Sequence, residues 1–90
     1  MTQKIYMYIL SDSAGETASK IAQASIAQYD QVQVEIQLFK RTFIYEKHEL
    51  LEALEEAKKL KAIVLQTLIS EELVELSNSF CKENDLFTID

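Results

Sequence analysis

Proline is absent from this chain, glycine occurs once, at Gly15, and cysteine once, at Cys81. Without Pro- and Gly-rich punctuation the 90 residues offer no linker, no low-complexity tract and no internal boundary, so residues 1–90 read as a single domain. A lone cysteine excludes an internal disulfide and suits a reducing compartment. Long apolar runs are missing too; Ala62-Ile63-Val64-Leu65 falls far short of the roughly 20 residues that a membrane span needs. Met1-Thr2-Gln3-Lys4 leads straight into a strand pattern, without the apolar core and cleavage site of a signal peptide. A cytoplasmic protein with no membrane partner is therefore expected. Positive charge is scarce: the net charge is −6, which disfavours nucleic acid, because phosphate binding draws on clustered Lys and Arg. Only Lys40-Arg41 and Lys58-Lys59 with Lys61 approach clusters, and the second group sits where cations complement a helix dipole.

What is present is an ordinary globular mixture, 48% hydrophobic and 27% charged, which rules against disorder. Ile5-Tyr6-Met7-Tyr8-Ile9-Leu10 is a continuous apolar run of β-formers, the mark of a strand buried on both faces. From Gly15 to Tyr29 the period becomes helical, with Ala18, Ile21, Ala22, Ser25 and Tyr29 along one stripe. Val32, Val34, Ile36 and Leu38 alternate with polar residues, which predicts a half-exposed strand at a sheet edge. Residues 46–60 are again helical, with Leu50, Leu51, Leu54 and Ala57 facing inward. Ile63-Val64-Leu65 is a second buried strand. Ser70 can cap a third helix that has Glu71 and Glu72 in its first turn and turns Leu73, Leu76 and Phe80 inward. Leu86-Phe87-Thr88-Ile89 reads as a fourth strand.

The order β-α-β-α-β-α-β specifies an α/β fold, a three-layer parallel sheet of flavodoxin-like or Rossmann-like type with strand order 2-1-3-4. Sheets of this kind normally have more strands, so a truncated domain, the N-terminal fragment of a longer enzyme, is expected. The ligand crevice of an open parallel sheet lies beyond the strand carboxyl ends where the order reverses. That point falls between strands one and three, at Ser11-Asp12-Ser13-Ala14-Gly15-Glu16-Thr17 and Gln66-Thr67-Leu68. The loop carrying Lys40, Arg41 and Thr42 flanks it. Hydroxyls, a glycine that would let a ligand approach the backbone, and a helix amino terminus together make a phosphate-site candidate. Ser13-x-x-Glu16 reads equally well as a capping box that satisfies only the helix itself. Asp12 is a turn-former before it is a base or metal ligand, and Thr67 either meets a ligand or closes a turn. Arg41 is the best anion-binding candidate, since its fork suits phosphate, although an isolated basic pair is usually solvated surface. His48 is expected on the surface and Cys81 in the core. No GxxxxGK[ST] loop, GxGxxG fingerprint or metal-spaced His/Cys cluster occurs, so no complete active site and no metal site is encoded.

The stretch Ile5-Tyr6-Met7-Tyr8-Ile9-Leu10-Ser11-Asp12-Ser13-Ala14-Gly15-Glu16-Thr17-Ala18 resembles the opening of the pyruvate, phosphate dikinase and phosphoenolpyruvate synthase regulatory proteins, a hydrophobic strand followed by S-D-S/G-x-G-E/I-T-A. Leu65-Gln66-Thr67-Leu68 is similar to that family's strand ending in Thr-Leu ahead of an acidic helix start. The resemblance implies a bifunctional enzyme that uses ADP to phosphorylate a threonine of the dikinase. The same enzyme uses inorganic phosphate to remove that group as pyrophosphate. It also implies a cytoplasmic kinase whose partner is the dikinase or the synthase, with its nucleotide loop in a C-terminal part. These 90 residues alone would then be inactive and would hold no cofactor, while ADP and phosphate serve the whole enzyme. Only Ser11, Asp12, Ser13, Gly15, Glu16 and Thr17 carry over as a matching motif.

A binding protein is the alternative. Flavodoxins follow their first strand with S/T-x-T-G-x-T, and Ser11-x-Ser13-Ala14-Gly15-x-Thr17 is similar with one extra residue, implying a flavin mononucleotide or phosphate-ligand site. A phospho-receiver domain does not fit, since Thr67 stands where its acceptor aspartate belongs. The apolar fourth strand, with no helix after it, makes a homodimer of the fragment a further expectation.

Overall fold

The structure, a computed structural model, describes residues 3–28 and 34–89. Seven elements follow in chain order: β1 (Gln3–Ser11), α1 (Glu16–Gln28), β2 (Val34–Arg41), α2 (Lys47–Leu60), β3 (Ile63–Thr67), α3 (Glu71–Glu83) and β4 (Thr88–Ile89). The sheet order is β2-β1-β3-β4, with every pair parallel, as the alternation of strands and helices predicts. β1 pairs β2 from Gln3↔Val34 to Leu10↔Arg41, and β3 from Met7↔Ile63 to Ser11↔Thr67. β2 thus reaches three residues beyond Leu38 and takes in Lys40 and Arg41, which the alternation had left in a loop. β4 is shorter than expected, only Thr88 and Ile89.

Successive residues of a strand face opposite ways, so β1 divides the core. Tyr8 and Leu10 turn to the side covered by α2 and α3, joining Leu50, Leu54, Ala57, Val64, Leu73 and Cys81. Met7 and Ile9 turn to α1, where Ala18, Ala22 and Leu65 complete a smaller cluster. On the larger side Tyr8 stacks on Phe39 with ring centroids 5.0 Å apart.

Helix ends are held by their own sequence. Glu49 accepts the N–H groups of Tyr45 and Glu46 at 3.2 and 3.1 Å at the start of α2. Lys61 at φ 52° ends that helix, with Ala62 N–H donating to the Ala57 carbonyl at 2.9 Å, the Schellman arrangement. Ser70 caps α3 as expected, accepting from Leu73 N–H at 3.4 Å.

The inward stripes differ in detail from the periodic reading. In α2 the buried set is Leu50, Ala53, Leu54 and Ala57, and Leu51 is exposed. At about 100° per residue Leu51 lies a quarter turn from that stripe. Among the described side chains of α1, Ala18 and Ala22 are buried against the sheet, and Ile21 is left 55% exposed on the flank. In α3 the buried line is Leu73, Ser77 and Cys81, with Leu76 and Phe80 half-buried beside it. The side chain of Ser25, placed on the α1 stripe by periodicity, and the whole of Tyr29 on that stripe and of Val32 on β2 lie outside what the structure describes. No helix among the described residues is long and apolar enough to cross a membrane.

The two neighbours in α2 make a test. Leu54→Ala opens a cavity in the larger cluster and is expected to cost about 2–5 kcal/mol of unfolding free energy. Leu51→Ala, on the flank, should cost less than about 1 kcal/mol. Urea unfolding of both variants measures the difference, and equal losses would place Leu51 in the core.

Candidate functional site

Three loops meet at the carboxyl edge of the sheet, and the residues after β1 tie them together. Ser11, fully buried, accepts Ile44 N–H on its carbonyl at 3.0 Å. Its hydroxyl accepts Ser13 N–H at 3.1 Å and shares a hydrogen bond with the Ser13 hydroxyl, also 3.1 Å. Ser13 in turn offers its carbonyl to Phe43 N–H at 3.0 Å. Asp12 accepts Ile69 N–H on Oδ2 at 2.8 Å and so joins the loop after β3 to the loop after β1. This is the short-carboxylate-to-backbone bond for which Asp is suited in turns, made here across 57 residues of sequence.

Between the first and third loops lies an open cleft of about 530 Å³, walled by residues 12–18 on one side and Thr67, Leu68 and Ile69 on the other. The structure therefore brings Asp12, Ser13, Gly15, Glu16, Thr17 and Thr67 together at the switch point between β1 and β3. Ser11 lies beneath, in register with Thr67. Arg41 does not join them. It pairs with Glu56 on the face covered by α2, in a separate hollow of about 170 Å³ that Glu49 and Glu52 also line. Glu56 accepts the Tyr8 hydroxyl as well, at 3.3 Å. Burial, then the Glu56 charge and hydrogen bond, push the Tyr8 phenol above its ordinary pKa, opposed by Arg41.

The helix start differs from the capping box expected of Ser13-x-x-Glu16. The Ser13 hydroxyl is engaged with Ser11, α1 begins at Glu16, and the Gly15 carbonyl accepts Ser19 N–H at 2.9 Å. Gly15 thus holds the N-cap place and has no side chain to offer the first-turn N–H groups; Glu16 and Thr17, the residues of that turn, line the cleft. The glycine itself has a conformational reason. Its φ is 71°, while an added Cβ would lie in ordinary contact with Thr42 Cγ2 at 3.4 Å and with Ile9 and Ser11 at 3.6 Å. That Cβ would point into the fold, so backbone geometry selects glycine here, not the approach of a ligand.

Sequence reasoning overlooked what holds the other wall. Gln66, buried in an apolar strand, donates from Nε2 to Asn78 Oδ1 at 2.9 Å and accepts the Ser77 hydroxyl on Oε1, fixing the end of β3 to α3. A glutamine inside an otherwise apolar strand was the signal, because a buried amide needs partners. Cys81 is buried in the core, and burial raises its pKa against a weaker lowering by the Ser77 hydrogen bond, so the thiol is a packing group. His48 is exposed, 3.3 Å from Glu46. It lies on a second hollow of about 500 Å³ between the starts of α2 and α3, which Lys47 and Glu72 bridge at 2.6 Å.

A glycine chosen for its φ makes a definite prediction. Gly15→Ala should cost about 1–2 kcal/mol, the penalty of the left-handed region for a residue with a Cβ, and Gly15→Asn less. Thermal unfolding of both variants decides it, and an alanine variant as stable as the parent would contradict the geometry.

The chain is similar in sequence to known proteins. Residues 7–90 match the model of the family described as Kinase/pyrophosphorylase. A protein of Enterococcus faecalis, by name a pyruvate, phosphate dikinase regulatory protein 2, is 49% identical over 84 residues, 93% of this chain and 30% of its own length. A pyruvate, phosphate dikinase regulatory protein of Alkaliphilus metalliredigens is 46% identical over 71 residues, 79% of this chain and 25% of its own. One from Listeria welshimeri is 38% identical over all 90 residues, 33% of its length. The chain thus spans between a quarter and a third of these relatives. The matches support the regulatory-protein reading and lend nothing to the flavin alternative. The chain belongs to the Kinase/pyrophosphorylase family.

Proposed function

We propose that residues 1–90 form one domain of a longer cytoplasmic enzyme that regulates pyruvate, phosphate dikinase. That enzyme phosphorylates a threonine of the dikinase with ADP and removes the group with inorganic phosphate, releasing pyrophosphate. The observation that carries the reading is the cleft between β1 and β3, with the first turn of α1 and the hydroxyls of Ser13, Thr17 and Thr67 around it, in a chain that belongs to this family. Its role is to hold a phosphoryl group or inorganic phosphate by backbone N–H and hydroxyl donors.

The electrostatics bound how much this domain does alone. The lining carries Asp12 and Glu16 and no Lys, Arg or His, so an anion there meets two negative charges and no cation. The chain has a single glycine and therefore no GxxxxGK[ST] loop to cradle a nucleotide's phosphates and supply the lysine. ADP binding and the neutralising cations belong to residues outside these 90.

Amide shifts followed through an inorganic phosphate titration test the cleft. Gly15, Glu16 and Thr17 should move together and saturate in the millimolar range, while the chain transfers no phosphate from ADP to the dikinase. Unmoved amides in a folded chain would reduce the motif to a structural turn, and transfer above a blank would refute the division of labour.

The same reading leaves the outer edge of the sheet unfinished. Among the described residues nothing pairs with the far side of β4, and Phe87 and Ile89 are 67% and 41% exposed. An apolar open edge is a template for pairing. The 90-residue chain is therefore expected to self-associate through β4, and Phe87→Lys to weaken it. Light scattering over a concentration series reads this; a mass fixed at 10.3 kDa at high concentration would rule it out.

A further inference from the structure

Three large apolar side chains stand in solvent on the loops after β2 and β3: Phe43 is 52% exposed, Tyr45 65% and Ile69 86%. Two are fixed by backbone bonds to the loop after β1, Phe43 N–H to Ser13 and Ile69 N–H to Asp12. Ile69 lines the cleft, and the next residue, Ser70, lines the hollow that Tyr45 borders, so residues 69 and 70 form a ridge between the two depressions.

Phe43 carries the argument furthest. Among the described residues three other than glycine have positive φ, and two follow helices, where that conformation is common: Lys61 at 52° after α2 and Asp85 at 55° after α3. Phe43, at φ 56°, ends no helix. The backbone there has a clear task. It directs the N–H groups of residues 43 and 44 to Ser13 and Ser11 and turns the Ile44 side chain into the core. Glycine or asparagine would make that turn with less strain. A bulky aromatic held in the left-handed region and half in water gains neither from conformation nor from burial, and strain of this kind collects at functional surfaces.

Charge limits what the ridge can meet. Lys47 is occupied by Glu72 and Arg41 by Glu56. Asp12 and Glu16 on the cleft, Glu46 beside Tyr45 and Glu71 beside Ser70 have no Lys or Arg ion-pair partner among the described residues. Nucleic acid and anionic membranes are repelled by such a rim. We propose that the ridge of Phe43, Tyr45 and Ile69 is the docking surface for an extended polypeptide segment that carries an apolar anchor flanked by Lys or Arg and so lies across both depressions. This deepens the reading of the chain as part of an enzyme acting on a protein and rests on it; the segment is that of the protein substrate.

Three short labelled peptides test the surface by fluorescence anisotropy against the 90-residue chain. One has a Leu-Phe pair between arginines, one the same pair between glutamates, and one a Ser-Ser pair between arginines. The first should bind at least about tenfold more tightly than either control and weaken with added salt. Phe43→Asn and Ile69→Ser should each loosen it roughly tenfold, with the melting temperature of Phe43→Asn unchanged or raised as the strain is relieved. Equal affinity for all three peptides, or full binding by Phe43→Asn, overturns the proposal. A lowered melting temperature in Phe43→Asn overturns it too, since Phe43 would then serve folding. A mass that doubles with concentration and is dispersed by Phe43→Asn, but not by Phe87→Lys, assigns the ridge to a second copy and also overturns it. Peptide binding with no phosphate response sinks the cleft reading alone, and a phosphate response with no peptide preference sinks the docking surface alone.

Discussion

A parallel sheet brings several loops to its carboxyl edge but gives no reason for them to hold a fixed relation to one another. Here that relation depends on the turn leaving β1. The carbonyls of Ser11 and Ser13 take two N–H groups from the loop after β2, and the Asp12 carboxylate takes one from the loop after β3. Each bond contributes only about 1 kcal/mol, yet their geometric effect is large, because they join segments 30 to 57 residues apart in sequence. The cleft, its flanking ridge and the start of α1 all take their positions from these three residues. Asp12 therefore has a structural task in this chain, whatever it contributes toward a ligand.

The architecture was legible because period and composition agree at every element. A continuous apolar β1, an alternating β2 and helices with clear polar faces admit one strand order, and that order places the cleft. The inward stripes were less legible, since a window of helical period tolerates a neighbouring residue a quarter turn away. Leu51 and Ile21 are apolar and close to the stripe, but alanines at 53, 18 and 22 make the contact. Small residues carry a weak hydrophobic signal and a strong steric one, because they let a helix approach the sheet closely.

The candidate site was legible as a location and less so as chemistry. Ser13, Gly15, Glu16, Thr17 and Thr67 converge, but the reasons attached to two of them change. Ser13 serves the turn instead of the helix, and Gly15 serves φ. Arg41 looked free because its partner Glu56 lies 15 residues away, on the helix that crosses back over β1. Pairings between a strand end and the third turn of a following helix leave no local pattern. The positive φ of Phe43 leaves none either, as an aromatic between two elements reads as ordinary surface.

The two walls of the cleft are held by unlike means, and this bears on how it can respond to a ligand. The α3 side has the large core behind it and the Gln66–Ser77–Asn78 bonds, which lose geometry and satisfaction together if the helix shifts. Among the described residues the α1 side rests on Ala18 and Ala22 against Met7, Ile9 and Leu65. Alanine buries little apolar area, so α1 carries the smaller share of stabilising contact and the lower local stability. Gly15, without a side chain, joins that helix to the fixed turn after β1. Adjustment of the cleft is therefore concentrated at the wall whose first-turn N–H groups would meet an anion. The wall carrying Ile69 stays in place, and with it one side of the ridge.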